Sequence, residues 1–120
     1  MIETIILKGN DCTDIFQNLG INHNEISHAL KLVEKDEVIG FSLFDMDNES
    51  ILIKHLSPDN FSLFDGVLRS TLFIAANKGI MKAFWGEKVD SEKIKKLGFC
   101  GNEERREIDI TNLFSSCCCS

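Results

Sequence analysis

His55 is the side chain in this sequence whose chemistry best suits proton transfer near neutral pH. It ends a strand-like run, Ile51 to Leu56, just before Ser57-Pro58-Asp59. The plainer alternative is a half-exposed strand histidine bonded to a neighbour. His23 and His28 stand at i and i+5, which does not put two imidazoles on one helical face, so they read as surface residues. Softer ligands gather near the end: Cys117, Cys118 and Cys119 are consecutive. Three thiols could hold zinc or cuprous ion, but adjacent residues point different ways, and a closed tetrahedral site needs a fourth ligand from Cys12 or Cys100. A tail with incidental thiols is the simpler reading, and a redox or intermolecular disulfide role is a third. Cys100 reads most simply as a buried structural cysteine. The chain contains no tyrosine.

The elements that must position these groups centre on Glu37 to Gly79. Val38 to Met46 carries apolar residues on both faces, as a covered central strand does. Asp47-Asn48 supplies turn residues, and Ile51 to Leu56 resumes the strand pattern until Pro58 removes a ladder donor. A long helix follows. Ser62 and Asp65 match a capping box. Phe64, Val67, Leu68, Thr71, Leu72, Ala75 and Ala76 make a buried stripe at steps of three and four, and Gly79 closes the helix. Phe73 and Ile74 lie off that stripe; they read as packing under the N-terminal helices, with a homodimer patch as the alternative.

On the N-terminal side, Ile2 to Lys8 is strand-like. Two short helices are expected, one from Asp11 to Gly20 and one from Asn22 through Ile26, Ala29 and Leu30. Lys31 to Glu34 reads as the next strand. On the C-terminal side come a short strand Met81 to Trp85, a brief helix capped at Asp90 or Ser91, and a last strand Arg106 to Ile110. The expected order is βααβββαβαβ. It forms one α+β domain over 1–114, with helices layered on a sheet and a Cys-rich tail over 115–120.

The bulk numbers agree with one soluble domain. The apolar fraction is 43% and the charged fraction 27%, over 120 residues. The net charge of −6 argues against a nucleic-acid or anionic-membrane partner, either of which would favour a basic face. No apolar run approaches the ~18 residues that span a bilayer. The N-terminus lacks a basic region followed by an apolar core. Five cysteines with this spacing do not form an extracellular disulfide framework. The cytoplasm is the expected compartment.

Three stretches resemble the GNAT N-acetyltransferase superfamily. Asp36-Glu-Val-Ile-Gly-Phe-Ser-Leu-Phe44 is similar to its acidic turn, "VVGF" and apolar run. Leu56-Ser-Pro58 is similar to its "V-x-P", and Ile94-Lys-Lys-Leu-Gly-Phe99 to its "Y-x-K-L-G-F". The resemblance implies a mixed, mostly antiparallel sheet flanked by helices. It implies acetyl-coenzyme A in a splay between the fourth and fifth strands, bordered by Leu56, with a carbonyl near Leu56 orienting the substrate. The pyrophosphate would sit on amides of the helix opening: Phe61, Ser62, Leu63, Phe64, Asp65, Gly66 and Val67. Phe84 and Trp85 would end the fifth strand where the substrate cleft opens, though core packing is the plainer role for them.

The sequence departs from the family pattern. With the helix stripe aligned, Ser62 and Phe64 replace glycines and Asp59 replaces a basic or amide residue; an ungapped loop would instead put Gly66 at the second glycine. Asp65 would compete with phosphate for the first amides. Ile94 replaces the tyrosine acid. Ser50 replaces the glutamate base, with Glu49 one step away. The resemblance thus implies a small N-acetyltransferase for a small-molecule or peptide amine, needing no metal. The alternative is a non-enzymatic binding or assembly module on the same fold, with the cysteine tail as a possible metal or redox handle.

Overall fold

The computed structural model describes residues 2–111 and 113. The elements are β1 (Ile2–Leu7), α1 (Asn10–Asn18), β2 (Ser27–Glu34), β3 (Glu37–Met46), β4 (Ser50–Ser57), α2 (Phe61–Asn77), β5 (Lys82–Trp85), α3 (Ser91–Lys96), β6 (Cys100–Asn102) and β7 (Glu107–Ile108). One seven-stranded sheet runs β1-β2-β3-β4-β5-β7-β6. Every pairing is antiparallel except β4 with β5.

The hairpins follow from their turn residues. Lys35 and Asp36 both take positive φ, 51° and 67°, as a tight two-residue turn demands. Asp47 Oδ1 accepts from the Glu49 and Ser50 amides at 2.7 and 2.8 Å. Those bonds hold its carboxyl below the usual carboxylate range.

Each face of the sheet has its own core. Cys12 and Phe16 of α1 close over Ala29 and Leu43. On the other face α2 lays Phe64, Val67, Leu68 and Leu72 on Leu30, Phe44, Ile51 and Ile53, joined by Ile94 of α3. Gly40 lets α2 come this close. A Cβ there would lie 2.6 Å from Val67 Cγ2 and 2.8 Å from the Ser57 carbonyl oxygen.

The element order departs from the expected βααβββαβαβ at two places. There is no second short helix over 22–30. Asn24 makes a turn instead, its Oδ1 accepting from the Ile26 amide at 2.9 Å. From Ser27 the chain is strand, because Ala29 faces the α1 core while Leu30 and Leu32 face the α2 core, a period of two. His23 therefore lies in a loop, edge-on to Phe16, and His28 lies on β2, stacked on Phe44. At the other end Cys100–Asn102 adds a strand, and the last strand shortens to Glu107–Ile108. Phe73 is 45% exposed. Its helix lies on the sheet face opposite α1, so it does not pack under the N-terminal segment. Cys117, Cys118 and Cys119, and the tail over 115–120, lie outside the described residues.

Candidate functional site

The site begins with a disagreement between two neighbouring strands. β4 and β5 pair from Ser50↔Lys82 to Ile53↔Trp85. One further bond follows, from the Gly86 N–H to the Ile53 carbonyl at 2.7 Å. β5 ends there, but β4 continues to Ser57, still paired with β3 on its other side. Residues 54–57 therefore border a gap with no strand partner on the β5 side.

A bulge marks the start of that gap. Leu43 faces His55 and Phe44 faces Ile53, so Lys54 is the extra residue on β4. A bulge bends its strand and re-aims its side chains. Lys54 thereby joins His55 on the α1 face. Lys54 Nζ lies 2.7 Å from Asp45 Oδ2 and donates to the Asn22 carbonyl at 2.8 Å. Asp45 is buried, and also accepts from Ser27 Oγ at 2.6 Å and Asn24 Nδ2 at 3.1 Å. This network ties the α1–β2 loop to the bulge.

Beside the gap, on the α1 face, lies a cleft of about 640 Å3, within the usual range for a small-molecule site. Leu52 and Phe84 line it with Ile21 of the α1–β2 loop. Glu87 and Lys88 line it from the β5–α3 loop, and Glu104, Arg105 and Arg106 from the β6–β7 hairpin.

The other side of the gap meets the opening of α2. Asn60, not Ser62, is the N-cap: its Oδ1 accepts from the Leu63 amide at 3.1 Å. The shorter loop after Pro58 starts the helix two residues before the expected capping box. Among the described residues nothing accepts from the Phe61 and Ser62 amides, which face outward from the first turn. Asp65 does not compete for them. It sits beyond the first turn and its carboxylate takes Arg69 Nε at 2.7 Å, one turn on. Gly66 is likewise inside the helix, so it is not a loop glycine. Phe64 and Val67 are buried core residues.

Two residues that the sequence reading passed over belong here. Lys93 reaches from α3 over the Phe64 ring, 5.3 Å from its centroid, with Nζ 3.4 Å from Asp59. A cation thus stands at the helix opening although Asp59 fills the basic position of the loop. Lys54 is the second. Neither was legible, because one depends on how α3 docks and the other on a bulge.

His55 stacks on Phe41, ring centroids 5.4 Å apart. Burial lowers its pKa; Asp59 raises it and Lys88 lowers it, one charge from each border of the gap. Burial thus favours the neutral imidazole, the form able to accept a proton. Glu49 stands at the β3–β4 turn, at the far end of β4 from the gap, so the two acid–base candidates are not brought together. Leu56 lies on the gap-bordering stretch but its side chain is buried toward α2. Phe84 and Trp85 both line the cleft, although the Trp85 side chain is almost wholly buried and donates from Nε1 to Ser91 Oγ at 2.9 Å. Ile94, at the tyrosine position, is fully buried. Cys12 is buried, its thiol pKa pushed up by desolvation. Among the described residues no group of three His, Cys, Asp or Glu could hold a metal ion, and no helix is long and apolar enough to cross a membrane.

No protein-family profile matches the sequence, and neither does any curated protein. Solved structures do match. An integron cassette protein from the mobile metagenome of V. cholerae aligns over 99% of this chain and 98% of its own, at TM-score 0.64 and 15% identity. A GNAT family acetyltransferase from Elizabethkingia anophelis, with acetyl-CoA bound, aligns over 85% and 78%, at TM-score 0.60 and 17% identity. The ribosomal-protein-S18-alanine N-acetyltransferase from Escherichia coli aligns over 89% and 88%, at TM-score 0.62 and 10% identity. The chain has the GNAT acetyltransferase fold. In GNAT terms the parted strands β4 and β5 are the splay that the sequence resemblance implied, and α2 is the long helix beside it. At these identities the likeness carries the fold, and the chemistry has to be argued from the residues present.

Proposed function

We propose that the protein binds acetyl-coenzyme A along the gap between β4 and β5 and transfers the acetyl group to an amine held in the neighbouring cleft. The observation that carries this reading is the early end of the β4–β5 pairing, at Ile53, Trp85 and Gly86, beside the open amides of α2. Backbone groups of 54–57 would bind an extended arm as a missing strand would. The Phe61 and Ser62 amides and the Lys93 ammonium would hold the diphosphate. Asp59 is fully exposed, so its contact with Lys93 can give way to a phosphate while the half-exposed Asp90, 3.6 Å from Nζ, steadies the ammonium.

The coenzyme supplies the acetyl group as a thioester. This chain's residues hold the amine at the gap mouth, near Lys54 and Gly86, and neutral His55 takes its proton, directly or through water. Most of the rate would come from fixing the two reactants together. The second reading, a binding module without turnover, is favoured by one observation: buried Ile94 stands where the family's acid would be, and the chain has no tyrosine.

Calorimetric titration of acetyl-coenzyme A and coenzyme A tests the first step. Saturable heat with both is expected, weakened about tenfold in Lys93→Gln, whose lost charge-assisted contact is worth about 1.5 kcal/mol. Absence of heat and of thermal shift at millimolar ligand removes the transferase reading. Binding without thiol release across a broad amine panel selects the module.

A further inference from the structure

The cleft carries charges that an ordinary amine would not need. Lys54 is already matched by Asp45. Lys88, Arg105 and Arg106 have no ion-pair partner among the described residues, nor do Glu87 and Glu104. Three unmatched cations against two carboxylates give this cleft the opposite sign to the chain as a whole, which carries −6.

The hairpin that presents the arginines is held in place from three sides. Glu103 pairs with Lys95 of α3 at 2.5 Å. Asn102 Oδ1 accepts from the Arg105 amide at 3.1 Å. The Arg106 carbonyl accepts from the Trp85 amide at 2.9 Å. Because Lys95 neutralises Glu103, the arginines keep their charge available. Arg106 also takes φ 52°, a left-handed conformation in which glycine is the easier residue. That conformation belongs to the turn, which the Arg106 N–H closes on the Glu103 carbonyl at 3.1 Å, and the turn sets both arginines at the rim of the cleft.

Taking the cleft as the acceptor site of the reaction proposed above, on which this rests, we propose that the acceptor is an amine that also bears a carboxylate, read by Arg105, Arg106 and Lys88. The guanidinium fork matches a planar carboxylate. Glu87, next to Gly86 at the mouth of the gap, draws the ammonium end toward the thioester. A polycationic acceptor meets three unmatched cations against the two carboxylates Glu87 and Glu104, and is disfavoured.

The test is a set of NMR titrations of the full-length 15N-labelled protein, without coenzyme, using alanylalanine, alanylalanine amide, alanylaspartyl amide and spermidine. At least one carboxylate-bearing dipeptide should bind about tenfold more tightly than alanylalanine amide, the size of one charge-assisted bidentate contact. Shifts should centre on 86–88 and 104–106. Whichever carboxylate arm is preferred identifies the source, a chain terminus or an acidic side chain. In Arg105→Gln/Arg106→Gly the preference should vanish. Arg106→Gly alone should melt no lower than the parent, since it relieves the φ strain, so a lost preference is not lost folding. Equal binding of acid and amide, tighter binding of spermidine, or no shifts with any compound at millimolar concentration overturns the proposal. Acetyl-coenzyme A titrated into the same sample reports on the gap separately: silence there counts against the transferase reading, whatever the dipeptides do.

Discussion

Two glycines in this chain should respond to alanine in opposite ways. At Gly40 the new Cβ would lie 2.6 Å from Val67 Cγ2 and 2.8 Å from the Ser57 carbonyl oxygen, with Pro58 Cδ at 3.4 Å. Val67 is fully buried and Ser57 contributes backbone, so neither yields cheaply. Overpacking of this kind costs about 1–3 kcal/mol. At this chain length that is a fall in Tm of about 5–15 °C. The strain should also reach the site, because Ser57 and Pro58 end the stretch of β4 that borders the gap. Coenzyme affinity should drop about tenfold in the folded fraction. At Gly66, by contrast, a Cβ meets only Leu32 Cδ1 at 3.8 Å. A helix-interior glycine changed to alanine gains about 0.5–1 kcal/mol, so Gly66→Ala should melt about 2–5 °C higher. Its coenzyme affinity should be unchanged, since Gly66 lies past the first turn of α2. Differential scanning calorimetry and isothermal titration of both variants give the four numbers. A Gly40→Ala protein as stable as the parent would refute the close approach of β3 to α2. A Gly66→Ala protein that loses coenzyme would return that glycine to a phosphate loop.

Four further outcomes follow from named contacts. Lys54→Met strands the Asp45 carboxylate, which is buried and keeps only two neutral donors; about 2–3 kcal/mol should be lost at neutral pH, and Lys54→Met/Asp45→Asn should recover much of it by denaturant unfolding. Ser91→Ala leaves the buried Trp85 indole N–H without its acceptor, at about 1–3 kcal/mol, and should shift the fluorescence of the chain's single tryptophan. Asp65→Asn should leave coenzyme affinity within twofold, because its carboxylate faces Arg69; a gain in affinity would show that it repels phosphate. The folded pKa of His55 is lowered, so its folded form disfavours the proton. Stability and transfer rate should both fall as pH drops from the ordinary histidine value through the lower folded one, and His55→Gln should flatten that limb of the pH–rate profile.

How far the sequence could be read depended on whether burial alone set the outcome. The α2 stripe and the two-faced strand 38–46 are periodic because the core makes them so; the stripe is buried from Phe64 to Ala75, with Ala76 half-buried, and the strand is covered from Gly40 onward, whereas Val38 is 55% exposed. The gap is an expectation of the GNAT resemblance that Leu56-Ser-Pro58 helps to carry, not of any periodicity in the residues. Residues 22–30 misled, because Ile26, Ala29 and Leu30 fit a helical spacing as well as a strand that serves two cores. The opening of α2 misled for a related reason. Asn60 and Ser62 are both good caps, and only the short loop after Pro58 decides between them. Lys54, Lys93 and the hairpin arginines carry much of the site's charge, yet their roles come from a bulge, a docking angle and a turn. None of these leaves a period in the sequence.

The missing acid and base matter less than they first suggest, and they narrow the acceptor. An alkyl thiolate is a far weaker base than an alkoxide or amide anion, so in the proposed reaction it leaves with less need for a tyrosine to protonate it. Ile94 in place of that acid is therefore tolerable. The amine is the harder side. Freeing a lysine-like amine, pKa about 10.4, at pH 7.5 costs about 4 kcal/mol before attack, whereas a peptide α-amine near 7.7–8.0 costs about 0.5. With His55 as the proposed base, its pKa lowered by burial, and Glu49 at the far end of the strand, the proposed reaction suits the second kind. Peptide α-amines come with a carboxylate at the chain end or on a nearby acidic side chain, and the cleft already sets Arg105, Arg106 and Lys88 where such a group would fall. Under the proposed reaction, proton chemistry at His55 and charge on the β6–β7 hairpin that lines the cleft thus favour the same acceptor.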